Sequence, residues 1–431
     1  MAQSKHLHSP SRILAFVVLA ALSAIGVGYI FSTGYLGSAY PIRPNWYRQC
    51  VFLAFGAGVC WGMARLDNRR LLWRTLVWSG YALSLLLLVA VLFFGREIGG
   101  ARRWLTMGPL LLQPAEFAKV FTILAGSLIF SGGIFRRWWQ ELLAGICCFG
   151  VPILLISCEP SYGNAGALVP CLLVLVGIRF FPQWLWKFGM LAVVIILFGT
   201  AYMIYQLRSR PLEPPASGQV QAGEGGFLHG YHLRRLQAFL SPEGDWNEQQ
   251  SLMTVAGGGW FGKGYLNGTM KKLGFLPRTV APTDFIFAVI AEEGGLVFGV
   301  LPVLFLYGLL LSLLLHWGAN ATCPLDLNLV AAGTTLLFVH ILVGVGMSIR
   351  LVPVIGLPLP LLSYGGSFTV SILLLLGALF GTRQPTEEAA AADMDKGEGN
   401  PVAAKPTETT WRLGPFFKVR IRSRDEKPSG F

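Results

Sequence analysis

Asp284, in Pro282-Thr283-Asp284-Phe285-Ile286-Phe287, is a carboxylate at the join between a polar, glycine-rich stretch and a long apolar one. An Asp inside a membrane span costs about 2.5–3.5 kcal/mol, so an acid held there is a functional candidate by default. At the rim of a membrane bundle such a carboxylate can take a proton from a hydroxyl as a general base. Glu292 and Glu293 follow in the same apolar run, about two helical turns on.

Three further constellations carry polar chemistry. In Gln113-Pro114-Ala115-Glu116-Phe117-Ala118-Lys119, Pro114 suits a first helical turn. Glu116 and Lys119 are three apart, so they share a helix face and can pair. The pair reads either as a structural ion pair or as the lining of a polar cavity shared with Asp284. In Gly257-Gly258-Gly259-Trp260-Phe261-Gly262-Lys263-Gly264, glycines let the backbone approach a ligand and present N–H groups, and Lys263 adds a point charge. That suits a phosphate; tight turns are the alternative. In Pro358-Leu359-Pro360-Leu361-Leu362-Ser363-Tyr364-Gly365-Gly366-Ser367, prolines and glycines permit irregular backbone, which at membrane depth must be buried in protein or line a cavity. Packing glycines are the alternative there.

These groups need a scaffold, and composition says which. Of 431 residues, 54% are hydrophobic and 13% charged, with mean hydropathy +0.57. Soluble domains carry about 25% charged residues, so this is a multi-span membrane protein. Hydropathy predicts an all-α integral membrane protein, a ten-span helical bundle. The spans run near 13–31, 46–63, 72–94, 113–131, 139–157, 165–181, 184–205, 284–317, 327–349 and 359–381. The eighth is too long for a simple crossing and is expected to tilt or to kink at Gly294-Gly295 or Pro302. The first span lacks a small-residue cleavage site and is expected to stay in the mature chain. Residues 1–382 form the membrane domain, and 383–431 a flexible tail with a basic end.

The net charge of +12 points to topology rather than to nucleic acid, because most basic residues fall in short loops. Lys5, Arg12, Arg65, Arg69, Arg70, Arg74, Arg136, Arg137, Arg179 and Lys187 fall on one side, which predicts cytoplasmic termini. Arg96, Arg102 and Arg103 then lie outside, where they either contact an anionic headgroup or snorkel at the interface. The long loop of residues 206–283, between spans seven and eight, is extracytoplasmic on this topology. Its 211–226 stretch has a disordered composition, and 233–240 reads as a short amphipathic surface helix.

Other chemistry is missing. The sequence has no Gly-Lys-Ser/Thr phosphate loop and no His-Glu-x-x-His zinc motif. The seven cysteines show no paired metal spacing and read as small apolar residues. His340 reads as a packed, hydrogen-bonded core residue.

Arg103-Trp104-Leu105, Gln113-Pro114-x-Glu116-Phe117-x-Lys119, Glu159-Pro160-x-x-Gly163, Gln250-Ser251, Gly262-Lys263-Gly264, Thr283-Asp284-Phe285-Ile286-Phe287-Ala288 to Glu292-Glu293, and Ser363-Tyr364-Gly365-Gly366-Ser367 occur in this order. Over residues 10–382 the set resembles the SEDS (shape, elongation, division and sporulation) proteins. Pro353-Val354-Ile355-Gly356 is more similar to the RodA elongation branch than to the FtsW division branch. The resemblance implies a ten-span peptidoglycan glycosyltransferase of the bacterial cytoplasmic membrane that polymerises lipid II. It implies a class B penicillin-binding protein and other cell-elongation proteins as partners. The family's essential loop aspartate maps onto Asp284. Substrate contact would fall to Lys263, Glu116, Lys119, Arg102, Arg103, Gln250, Ser251, Glu293, Ser363, Tyr364, Gly365 and Gly366. Ser161 departs from the family, which usually has an aspartate there.

Lipid II is a disaccharide-peptide on a polyprenyl diphosphate, and the acceptor is a sugar hydroxyl. Transfer needs a base for the hydroxyl and positive charge for the diphosphate. Asp284 fits the first role. Lys263, the glycine N–H groups, Arg102, Arg103 or a divalent cation (Mg or Mn) fit the second, with no organic cofactor required. A lipid II flippase and a non-catalytic scaffold of the wall-synthesis complex are the alternatives. A flippase needs charges along the whole path, whereas the polar groups here concentrate toward the outer side. In the tail, Phe416-Phe417-Lys418-Val419-Arg420-Ile421-Arg422 alternates apolar with basic residues. It reads either as a segment on anionic membrane lipid or as a strand added to a partner's sheet.

Overall fold

The computed structural model describes residues 10–35, 45–66, 71–98, 101–108, 110–132, 134–181, 246–277, 279–382, 408–413 and 417–422. Every predicted span that falls on these residues contains a helix. The helices are α1 (Pro10–Gly34), α2 (Asn45–Arg65), α3 (Leu71–Phe94), α4 (Pro114–Ile129), α5 (Trp138–Cys158), α6 (Tyr162–Phe180), α7 (Trp246–Gly258), α8 (Thr269–Lys272), α9 (Ile286–Gly294), α10 (Leu301–Ala319), α11 (Pro324–Ser348) and α12 (Gly366–Phe380). Among the described residues, six helices are long and apolar enough to cross a membrane: α1, α3, α5, α6, α11, and the run Ile286–Ala319 that holds α9 and α10. Span seven, the 211–226 stretch and the 233–240 helix lie outside the described residues.

The structure refines or corrects the sequence expectation in four places. The chain is not wholly helical. A three-stranded antiparallel sheet, β1 (Arg96–Ile98), β2 (Ala101–Met107) and β3 (Leu110–Leu112), joins α3 to α4. Gly99-Gly100 and Gly108-Pro109 are turn chemistry that breaks any helix there. The second half of the long loop carries α7 and α8. The eighth span breaks at Gly294-Gly295, one of the two expected places: a π-helical turn runs over Gly295–Val300, and Gly295 takes φ 66. The last span begins at Gly366, and 353–365 is irregular.

That irregular stretch explains how the short helices fit. α4 has 16 residues and α12 has 15, about 24 and 22 Å of rise against a hydrocarbon core of about 30 Å. Both are buried along almost their whole lengths, and α12 packs on α2, α4 and α11. The missing length is made up by protein: Leu357, Leu359, Leu361 and Leu362 bury the irregular backbone before α12. Non-helical backbone at membrane depth is tolerated only in such surroundings.

Contacts fix the two ends of the bundle. At one end Arg12 donates to the Thr382 carbonyl, Trp317 donates to Ser11 Oγ, and Phe16 stacks on Phe380. The starts of α1 and the ends of α10 and α12 therefore meet there. At the opposite end the last turn of α1, the first turn of α2, the β-sheet, the N-terminus of α4 and the segments 246–285 and 350–365 converge. Ser32 reaches Glu293, and Gln49 reaches Ser363 and Thr369. The polar constellations singled out in the sequence gather at this second end.

Candidate active site

Asp284 lies in the turn 281–285 immediately before α9, half-buried, between buried Pro282 and Phe285. The N–H groups of Thr283, Asp284 and Phe285 all donate to the Val280 carbonyl, which curls the chain tightly. Two bonds from the irregular stretch pin the same turn. Tyr364 N–H donates to the Pro282 carbonyl at 2.8 Å, and Ser363 Oγ donates to the Thr283 carbonyl at 2.6 Å. Ser363 Oγ also accepts from Leu359 N–H at 2.9 Å. Gly365 N–H donates to Gln49 Oε1, and Gly366 abuts the Phe52 ring. Ser363, Tyr364, Gly365 and Gly366 are thus the mould that sets the Asp284 turn. Leu361 holds φ 66, which costs about 1–3 kcal/mol for a non-glycine residue. Its neighbour Pro360 is held by Tyr307, whose hydroxyl donates to the Pro360 carbonyl at 2.6 Å.

The span-four pair forms as the spacing predicts. Lys119 Nζ is 2.9 Å from Glu116 Oε2, with 1% and 3% of the side chains exposed. Lys119 also donates to Asn164 Oδ1 at 2.7 Å and lies 3.1 Å from His340 Nε2. His340 Nδ1 is 3.1 Å from the Pro358 carbonyl. An ammonium on one ring nitrogen and a carbonyl on the other dictate the neutral tautomer protonated at Nδ1. Asn164 donates onward to Ser161 Oγ at 3.1 Å. Ser161, the position where the family resemblance led to an expected acid, therefore supports Asn164. Through His340, Pro358, Leu359 and Ser363, a buried polar path runs from the α4 ion pair to the Asp284 turn.

The glycine run packs its backbone against the break in the eighth span. Where α9 breaks, the carbonyls of Glu292 and Glu293 receive the N–H groups of Lys263 and Gly264, both at 2.9 Å. The N–H groups of Leu296 and Val297 are taken up by the carbonyls of Gly259 and Trp260. A broken helix at membrane depth must have its freed backbone groups satisfied, and the run does so. Gly262 takes φ 77, and a Cβ there would run into the Glu293 carbonyl.

The two glutamates anchor this clamp. Glu292 Oε1 accepts from Lys263 Nζ at 2.7 Å and from the N–H groups of Thr269 and Met270. Glu293 accepts from Ser32 Oγ, Lys271 and the N–H groups of Leu266 and Gly268. Lys263 and Glu293, expected to contact substrate, are thus engaged within the protein. Gln250 and Ser251 are buried where α7 meets α11, and Ser251 Oγ donates to the Ser348 carbonyl.

Of the outer arginines, Arg103 donates to the carbonyls of Glu159 and Pro160. Arg102 is exposed and lies 3.7 Å from Glu97 across the β1–β2 pairing. The Glu159 carboxylate is fully buried and lacks a hydrogen-bond partner among the described residues. Burial pushes it up to about 8, against the opposing pull of Arg103. Among the described residues no three His, Cys, Asp or Glu side chains cluster to hold a metal ion.

Gln49, Ser32, Lys271 and Asn164 escaped the sequence reading. Their signal was present for Gln49 and Asn164, polar side chains inside apolar runs. Ser32 and Lys271 carry no local signal, because their partner Glu293 is distant in sequence.

The family model described as the cell cycle protein FtsW/RodA/SpoVE matches residues 12–387. Peptidoglycan glycosyltransferase RodA of Treponema pallidum (strain Nichols) is 31% identical, over 85% of this chain and 96% of its own. Peptidoglycan glycosyltransferase MrdB of Escherichia coli (strain K12) is 33% identical, over 68% and 74%. A chain from a structure of a peptidoglycan synthase complex that coordinates polymerization and crosslinking superposes with TM-score 0.62 at 30% identity, covering 85% of this chain and 96% of that one. The rod shape determining protein RodA of Thermus thermophilus superposes with TM-score 0.57 at 27% identity, covering 85% and 94%.

Proposed function

The chain belongs to the FtsW/RodA/SpoVE family, and on that premise we propose that it polymerises lipid II with Asp284 as general base. It is a multi-pass membrane protein and a peptidoglycan glycosyltransferase. The observation that carries the assignment of Asp284 is its mounting. A half-buried carboxylate sits on a turn held from within by Val280 and from across the bundle by Ser363 and Tyr364. A base held this firmly meets its proton without reorganising.

In the reaction, the acceptor sugar hydroxyl gives its proton to Asp284 as its oxygen bonds to the donor's anomeric carbon. The bond from that carbon to the diphosphate oxygen breaks, and polyprenyl diphosphate leaves with the electron pair. Of the cations expected at the diphosphate, Arg102 and Lys263 are exposed and face Glu97 and Glu292, while Arg103 holds the Glu159 and Pro160 carbonyls. The Glu116–Lys119 pair and His340 support the irregular stretch that moulds the turn. Ten spans, cytoplasmic termini at the Arg12–Thr382 end and an extracytoplasmic Asp284 complete the topology. The process served is cell elongation in the bacterial inner membrane. The partner is a class B penicillin-binding protein, which supplies crosslinking; the structural neighbour that coordinates polymerization with crosslinking supports this pairing.

The test is purified protein with lipid II, with and without that partner, read as glycan chain length. Asp284→Asn keeps size and hydrogen bonding but removes the base, and polymerisation should fall by about 10²–10⁴-fold with normal membrane insertion. Activity above about a tenth of wild type rules out the base role.

A further inference from the structure

α7 bridges two segments that shape the Asp284 turn, packing on α9 and on the end of α11. At its last residue, Gly258, a Cβ would run into the Ala291 carbonyl of α9. Nearer its start, Glu248 and Ser251 are three apart and so share a face. Both reach the chain around the end of α11. Ser251 Oγ donates to the Ser348 carbonyl at 3.0 Å. Glu248 is 2% exposed. Its Oε1 accepts from Val354 N–H at 3.2 Å, and its Oε2 lies 3.8 Å from Arg350 Nε.

Arg350 stands where glycine is usual. It follows α11 at φ 59; its N–H donates to the Met347 carbonyl, and Leu351 N–H donates to the Gly346 carbonyl at 2.9 Å. A helix closed by a left-handed residue normally has glycine there, because a side chain is strained in that region. Here an arginine keeps the position, with its guanidinium beside a buried acid. A buried carboxylate needs such a partner.

Val354 carries the effect onward. Its side chain is buried in an apolar cluster with Ala281, Phe285, Ala288 and Met347. Ala281 and Phe285 are the two ends of the turn that holds Asp284. Ser363 and Tyr364 grip that turn by its carbonyls, and Val354 backs its apolar ends. The backbone around Val354 is irregular, so no helical or strand ladder fixes it. A buried N–H in such a stretch needs an acceptor from elsewhere. Glu248 supplies one from α7.

We propose that Glu248, on the reading of Asp284 as general base, is a positioning residue for it. Glu248 fixes Val354, and Val354 fixes the turn. The competing account is that Glu248 only balances the charge of Arg350.

The test uses the full chain and two double variants. Arg350→Gly removes the guanidinium and the strained side chain in both. With Glu248→Gln the acceptor for Val354 N–H is kept; with Glu248→Ala it is lost. Neither variant strands a buried charge, so their melting temperatures should be similar. By hydrogen exchange and mass spectrometry, amides of 281–289 should exchange about tenfold faster in the alanine variant than in the glutamine variant, with α4 and α12 unchanged. A merely structural loss would lower the melting temperature and speed exchange in α4 and α12 as well. In initial rates against lipid II concentration, kcat of the alanine variant should fall by about 10–100-fold with KM unchanged, since a misplaced catalytic group costs up to about that much. The glutamine variant should keep wild-type kcat and KM. Equal exchange over 281–289 in the two variants overturns the proposal. A glutamine variant as slow as the alanine variant does so too, because charge rather than the bond to Val354 then matters. Faster exchange with unchanged kcat leaves the hold of Glu248 on the turn standing and overturns the reading of Asp284 instead.

Discussion

Removing the Glu116 carboxylate leaves a cation stranded in the bundle. Lys119 is 1% exposed, and its remaining partners, Asn164 Oδ1 at 2.7 Å and His340 Nε2 at 3.1 Å, are neutral. The face of Phe368, 5.9 Å away, adds only a weak attraction. Breaking one side of a buried ion pair typically costs about 3–5 kcal/mol, because the charge left behind has been desolvated without compensation. Glu116→Ala should lose that much. Adding Lys119→Met removes the stranded charge and keeps most of the stem volume. The double variant then pays mainly for the space left by Glu116, about 1–2 kcal/mol. The order of apparent melting temperature in detergent should therefore be wild type, then double variant, then Glu116→Ala. A Glu116→Ala protein that melts with wild type, or a double variant that melts below it, refutes the structural account of the pair. Glycan polymerisation on the same samples separates stability from chemistry. A double variant that folds but makes no glycan shows that the charges act on substrate or on the Asp284 turn. One with full activity confines the pair to holding the bundle.

Glu159 makes stability depend on pH. In the folded protein it keeps its proton up to about 8, whereas an ordinary carboxylate ionises near 4.5. Between those values the folded state binds more protons than the unfolded one, so stability falls as pH rises. Glu159→Gln should flatten melting temperature across this window and exceed wild type near its upper end; parallel curves would show that Glu159 is not the titrating group. Gly262→Ala places a side chain at φ 77 against the Glu293 carbonyl. The backbone alone should cost about 1–3 kcal/mol, seen as a lower melting temperature and faster proteolysis of the 259–268 loop, and an unchanged protein would contradict the clamp.

Much of this protein is legible in one dimension because the bilayer is a severe solvent. Apolar runs must be helices when every backbone group has to be satisfied internally, so α1, α3, α5, α6 and α11 fall where hydropathy puts them. The rarity of charge in such runs marks Asp284, Glu116 and Lys119, and the three-residue spacing sets the ion pair. What the sequence does not encode locally is partnership between distant segments. Gly257–Gly264 looks like an anion cradle, because clustered glycines signal exposed N–H groups whatever those groups bind. Only the fold brings the N–H groups of Lys263 and Gly264 to the carbonyls of Glu292 and Glu293, and the carbonyls of Gly259 and Trp260 to the N–H groups of Leu296 and Val297. Glu293 is likewise an acid in an apolar run until Ser32 and Lys271 arrive from opposite sides of the chain. Ser363 and Tyr364 become the mould of the Asp284 turn through bonds spanning about eighty residues. Span positions follow from local transfer free energies, summed residue by residue. Pairing of buried polar groups is a long-range condition, met only when the whole bundle has closed.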